Sequence, residues 1–175
     1  MEKLLQLAIE AAIEAGKAIM EVYAQPFEVH TKDDDSPVTQ ADLRASNVIK
    51  EILKPTGLPF VSEEDLPPDR SQFKRYWLVD PLDGTAEFVK RNGEFTVNIA
   101  LIDDAQPVLG VIYAPVMGTI WDSVHVGLPQ CDSRTNRPFT VLVSRSHRTP
   151  EVDEYINKVL RPAHPDLVID TQGSS

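Results

Sequence analysis

The sequence predicts a mixed α/β fold with an α+β first half, on three observations. Apolar residues spaced three and four apart mark two amphipathic helices ahead of Pro55. Apolar β-type runs then lie between Trp77 and Val124, and the links in its last part are too short for crossover helices, so that part is an antiparallel meander. After Phe139 the pattern becomes strand, helix, strand.

The first helix is read from Leu5, Ala8, Ala12, Ala15, Ile19 and Val22, running to about Tyr23 and stopped by Pro26. Its stripe is Ala-rich and holds Gly16, so a second helix is expected to approach closely. Val29 to Thr31 reads as a short strand, and Asp33, Asp34 and Asp35 as a solvated loop. Thr39 is placed to cap a helix, with Asp42 three residues on as in a capping box. That helix buries Ala45, Val48 or Ile49, and Ile52, and ends before Pro55.

Pro59 to Ser62 is a strand that runs into Glu63, Glu64 and Asp65. Trp77-Leu78-Val79 is a second buried strand that delivers Asp80 at its end. Pro81 helps to end it, and Gly84 permits a tight turn after Asp83. Asp80 and Asp83 can converge on one hard cation, with the Leu82 carbonyl between them and the Thr85 hydroxyl beside it. The same residues also read as an Asp-rich turn. The repeat of a strand delivering acids makes convergence of Glu63 and Asp80 on one metal plausible.

Glu87 to Glu94 reads as a loop or short helix whose Lys90 and Arg91 either meet phosphate or face solvent. Phe95 to Ile102, Val108 to Ala114 and Thr119 to Val124 are strands, with a turn from Asp103 to Pro107. His125 is a surface histidine without an acid at catalytic spacing. Phe139 to Val143 is a strand ending in Ser144, Arg145, Ser146 and His147, groups suited to an anion or a nucleobase. Pro150 opens a helix to about Leu160, and a strand begins at Leu167.

Composition narrows the function. The 175 residues suffice for one medium domain and part of another, and the apolar content of 42% supports a packed core. The net charge of −10 opposes polyanions, so no nucleic-acid partner is expected. A small phosphorylated substrate would be admitted only if carboxylate-held cations reverse the local sign. No apolar stretch reaches a membrane span of ~18 residues, and the charged N-terminus lacks a signal-peptide pattern. Cys131 stands alone, which excludes an internal disulfide and fits a reducing compartment. The expected location is the cytoplasm, with peripheral attachment at the inner membrane as the alternative. Homo-oligomerisation is left open.

Asp80-Pro81-Leu82-Asp83-Gly84-Thr85, preceded by Glu63-Glu64 and by Thr39-Gln40-Ala41-Asp42, resembles the lithium-sensitive, magnesium-dependent phosphomonoesterase superfamily that includes inositol monophosphatase. Ser36 to Thr39, Ser62 to Asp65 and Lys90 to Ile102 are similar to its bacterial 3′(2′),5′-bisphosphate nucleotidase branch. The resemblance implies a layered αβαβα sandwich of the inositol monophosphatase/fructose-1,6-bisphosphatase type, with helices on an antiparallel sheet over 1–137 and the start of an incomplete second α/β domain over 138–175.

It further implies that Glu63, Asp80, Asp83 and the Leu82 carbonyl bind Mg²⁺. Asp42 and Thr85, with Glu63, would prepare the attacking water. Gly84 and Thr85 would hold the phosphate, and Ser144 and His147 would contact a nucleotide. The implied reaction removes the 3′-phosphate of 3′-phosphoadenosine 5′-phosphate; the alternatives are an inositol-phosphate phosphatase or a non-catalytic remnant of the fold. The family's later Trp-Asp-x-Ala-Ala-Gly motif, which supplies a further metal-ligating Asp, is absent from the sequence. Residues 1–175 alone are therefore expected to hydrolyse substrate poorly and to associate through uncovered strands at Val141 and Val168.

Overall fold

The computed structural model describes residues 1–31, 37–64, 69, 72–125, 138–145 and 148–173. The expectations for Asp33 to Ser36, Asp65, Cys131, Ser146, His147, Ser174 and Ser175 fall outside that set.

Helix α1 (Glu2–Tyr23) buries the predicted Leu5, Ala8, Ala12, Ala15, Ile19 and Val22 stripe, widened by Ala11 and Gly16. Strands β1 (Val29–Thr31) and β2 (Pro37–Thr39) pair antiparallel and lead into α2 (Gln40–Leu53). That helix buries Ala41, Ala45, Ile49 and Leu53, and passes Pro55 only as a 3₁₀ turn, Lys54–Thr56. α1 and α2 pack on each other and on a five-stranded sheet.

The sheet runs in the order β3 (Phe60–Ser62), β4 (Arg75–Asp83), β5 (Thr96–Asp103), β6 (Gln106–Ala114), β7 (Thr119–Asp122). The meander of β4 to β7 is antiparallel as expected. The β3–β4 pair is parallel, with Phe60 against Trp77 and Ser62 against Val79. The sheet is thus mixed, not antiparallel throughout.

Two further expectations change. Strand β4 does not end near Pro81 but continues to Asp83 across a bulge. Asp80 faces Asn98 and Asp83 faces Thr96, so Pro81 and Leu82 together stand opposite Val97 alone. A bulge tolerates a residue without an N–H, and it re-aims the side chains that flank it. The β5–β6 turn is shorter than predicted, with Asp104 and Ala105 both at positive φ (48° and 61°).

Gly16 faces the sheet rather than a second helix. A Cβ there would stand 2.3 Å from the Tyr113 ring of β6.

A short helix, α3 (Thr85–Lys90), follows β4. Its Phe88 is fully buried among Tyr23, Phe27 and Phe95, with ring centroids 4.8 to 5.3 Å apart. These aromatic contacts fix α3 against the end of α1 and the start of β5.

The last part forms a separate two-stranded parallel sheet, β8 (Thr140–Ser144) with β9 (Val168–Gln172). Between them run α4 (Pro150–Tyr155), a wider π turn (Ile156–Leu160) and α5 (Arg161–Ala163). Val143, Ile156 and Leu167 make a small core of their own. The strands at Val141 and Val168 pair with each other, Thr140 facing Val168 and Val141 facing Ile169. Leu142 remains 62% exposed and Val168 44%. Among the described residues, no helix is long and apolar enough to cross a membrane.

Candidate active site

The parallel β3–β4 ladder brings two of the predicted acids together. The Glu63 N–H donates to the Val79 carbonyl at 3.0 Å, which carries the ladder one residue past Ser62 and sets Glu63 beside Asp80. The Ser62 hydroxyl accepts from the Glu64 N–H at 3.3 Å and shapes the turn that holds them.

The Glu63 and Asp80 side chains hydrogen-bond each other, and Asp83 is near enough to repel Asp80. Burial comes first among the causes that push the Asp80 carboxyl up to about 8, followed by the charge and hydrogen bond of Glu63 and the charge of Asp83. The Leu82 N–H donates to Asp80 Oδ1 at 3.2 Å and opposes the shift.

A second centre forms where α2 begins. Thr39 donates from its N–H (2.7 Å) and its hydroxyl (2.8 Å) to Asp42 Oδ2, while the Ala41 N–H donates to the Thr39 hydroxyl at 3.1 Å. The predicted capping box is present, and both Asp42 and Thr39 are buried. Capping uses one oxygen of Asp42. The other, Oδ1, lies 3.1 Å from the Thr85 hydroxyl, which also lies 3.1 Å from the Leu82 carbonyl. One hydroxyl has one proton, so Thr85 donates to either acceptor and not to both. Burial pushes the Asp42 carboxyl up, against the hydrogen bonds from Thr39 and Thr85.

Gly84 takes a positive φ of 89° between Asp83 and α3, the conformation its lack of Cβ permits. Asp83 is held by Asn98, whose Nδ2 donates to Oδ2 at 3.1 Å. Glu63, Asp80, Leu82, Asp83, Gly84, Thr85 and Asp42 are thereby linked through neighbouring hydrogen bonds or adjacent backbone. Ser144 is exposed at the end of β8, and His147 is outside the described residues.

The basic residues have structural partners. Arg91 donates to the carbonyls of Tyr23 (2.5 Å) and Gln25 (2.7 Å) and stacks over Tyr23 and Phe27, so it caps α1 while remaining exposed to solvent. Lys90 pairs with Glu87 at 3.6 Å. Arg145 is taken by Glu94, and His125 pairs with Asp122 at 2.9 Å on the strand farthest from β3. The acid beside His125 is thus present, against the sequence expectation, but remote from Asp80 in the sheet order.

Thr96 and Asn98 carry no role in the sequence reading. The available signal is that they are polar at a spacing of two within the apolar run from Phe95 to Ile102, hence on one strand face.

Among the described residues, no three Asp, Glu, His or Cys side chains are already gathered into a metal cage. The donor set still fits a hard cation. It is all oxygen, Glu63 and Asp80 are adjacent, and their mutual repulsion would be relieved by a positive charge. Mg²⁺ characteristically uses one or two carboxylates and keeps several waters.

The sequence profile of the inositol monophosphatase family matches residues 1–161. The chain belongs to that family. Within it, the chain is 48% identical to the 3′(2′),5′-bisphosphate nucleotidase CysQ of Salmonella typhimurium, over 89% of this chain and 69% of that protein. It is 47% identical to the CysQ of Escherichia coli K12, over the same shares. Among solved structures, the CysQ of Bacteroides thetaiotaomicron superposes with a TM-score of 0.79 at 37% identity, covering 97% of this chain and 72% of that one. The IMPase of Thermotoga maritima has a TM-score of 0.77 at 20% identity, covering 99% and 69%, which is a likeness of fold alone.

Proposed function

We propose that the chain is a Mg²⁺-dependent phosphomonoesterase that removes the 3′-phosphate of 3′-phosphoadenosine 5′-phosphate, giving AMP and phosphate. The observation that carries the chemistry is the Thr85 hydroxyl at 3.1 Å from buried Asp42, beside the Glu63–Asp80 pair. The substrate class follows from likeness to proteins named 3′(2′),5′-bisphosphate nucleotidase. In the same reading the fold is the family's αβαβα sandwich, divided near residue 137, and Li⁺ inhibits.

Glu63, Asp80, Asp83 and the Leu82 carbonyl would hold the Mg²⁺. Bound there, the ion would neutralise phosphate charge and acidify a water. Thr85 donates its proton to Asp42 and so presents a lone pair to that water. Asp42, raised by burial, is the base behind it. Gly84 keeps the backbone open where the phosphate approaches. Ser144 and His147 would face the nucleotide. Phosphoryl transfer asks for this positioning and charge neutralisation more than for a covalent intermediate.

Comparison of kcat/KM for 3′-phosphoadenosine 5′-phosphate and inositol 1-phosphate tests the assignment. A higher value for the nucleotide supports it. The reverse order makes the chain an inositol-phosphate phosphatase, and no release from either substrate with Mg²⁺ makes it non-catalytic.

A further inference from the structure

We infer that Asn98 is a positioning residue that sets the carboxylate of Asp83 for Mg²⁺, with Thr96 fixing the direction of its amide. The inference rests on the reading of Glu63, Asp80 and Asp83 as a Mg²⁺ site and adds the part of β5 that aims it.

The bulge creates the arrangement. Asn98 is the cross-strand partner of Asp80, yet its amide nitrogen reaches Asp83 Oδ2 at 3.1 Å. It can do so because Pro81 and Leu82 occupy the length of one residue and bring Asp83 back toward β5. A single β5 residue therefore neighbours both acids of the Asp80–Asp83 turn.

The direction of the amide is chemically determined. An ionised carboxylate only accepts, so the Asn98 group facing Asp83 must be NH₂. That leaves the Asn98 carbonyl turned toward Thr96, whose hydroxyl lies 3.1 Å from Oδ1 and donates to it. Thr96 is buried and is itself the cross-strand partner of Asp83. The chain Thr96 to Asn98 to Asp83 thus runs donor to acceptor without a conflict. It engages Oδ2 of Asp83 and leaves Oδ1 for a cation. Groups that orient ligating carboxylates in this way typically change metal affinity about 10–100-fold when removed.

The test is Mg²⁺ binding by calorimetry, with thermal unfolding in EDTA and phosphate release at rising Mg²⁺. Asn98→Leu keeps the approximate volume and removes the amide. Thr96→Val keeps the shape and removes the hydroxyl. The expected result for Asn98→Leu is a roughly 10-fold weaker Mg²⁺ dissociation constant, with Thr96→Val changed in the same direction by less. Turnover should recover at high Mg²⁺, so that the half-saturating Mg²⁺ concentration moves more than kcat, while unfolding in EDTA stays near the parent. A purely structural role would move the unfolding and not the metal constant. Should Asn98→Leu fail to fold, Thr96→Val alone decides. Parental Mg²⁺ affinity in the folded variants overturns the role of Asn98. Failure of the unsubstituted chain to bind Mg²⁺ overturns the functional reading beneath it.

Discussion

Arg145 and Glu94 form a two-pronged ion pair across 51 positions of sequence, Nε to Oε2 at 3.0 Å and Nη2 to Oε1 at 2.7 Å. The same Glu94 Oε2 accepts the Gly173 N–H at 2.7 Å. Arg145 also donates to the Thr171 carbonyl at 3.2 Å. The ends of β8 and β9 are thereby clasped to the segment that follows α3, and the guanidinium beside Ser144 is engaged by protein rather than by substrate. Arg145 holds the Glu94 carboxyl below its usual range.

Gly173→Ala tests the clasp. A Cβ at that position would lie 2.5 Å from Glu94 Oε2 and 2.6 Å from Glu94 Cβ, and the second contact has no flexible end to yield. The expected cost is about 1–3 kcal/mol, the usual scale of overpacking, read from the denaturant midpoint. Faster hydrogen exchange should be confined to β8 and β9. A variant with parental stability and exchange would show that the clasp does not hold the second sheet.

The Thr85–Asp42 pair predicts an asymmetric mutant series. Thr85→Ser keeps the hydroxyl and should keep most activity. Thr85→Val and Asp42→Asn should each lower kcat by about 10²–10⁴-fold, the range for removing general-base assistance. Combining the two should cost little more than one alone, because both groups act on the same proton. Steady-state kinetics checks this, and additive losses would separate their roles.

Asp80 gives a pH prediction. In the metal-free fold its carboxyl is pushed up to about 8 from an ordinary 3.8, so the folded chain holds a proton that the unfolded chain has released across that window. Stability supplied by Asp80 is present on the acid side and is lost as pH rises through the folded value. Mg²⁺ competes with that proton, so its binding strengthens with pH over the same window. The melting temperature, measured across it with EDTA and with Mg²⁺, should fall with pH in EDTA. The two curves should diverge toward the alkaline end, and Asp80→Asn should flatten the dependence. A Mg²⁺ effect equal at both ends of the window would contradict this.

Local features were legible in the sequence because local chemistry sets them. Thr39 and Asp42 announce a capping box by spacing, and the α1 stripe announces its buried face. Gly84 announces a turn that needs positive φ. The delivery of Glu63 and Asp80 from apolar strands was readable too, but the parallel pairing that sets them side by side was not, since short strands do not encode their partners. The bulge at Pro81 and Leu82 was hidden for the same reason: register appears only when β4 meets β5. The sequence leaves Arg91 open between phosphate and solvent, because its partners are the backbone carbonyls of Tyr23 and Gln25, far away in sequence. Asn98 sits inside a run that reads as plain strand, and the Glu94–Arg145 clasp depends on a contact no local window contains.

The most direct measurement is phosphate release from 3′-phosphoadenosine 5′-phosphate as Mg²⁺ is raised and then removed with EDTA, for the unsubstituted chain and for Asp83→Asn. The account predicts release that rises with Mg²⁺, returns to the blank in EDTA, and falls at least ~10²-fold in the variant, the scale of losing one electrostatic stabiliser. Release that persists in EDTA, or a variant close to normal, would contradict a metal-dependent site at Glu63, Asp80 and Asp83.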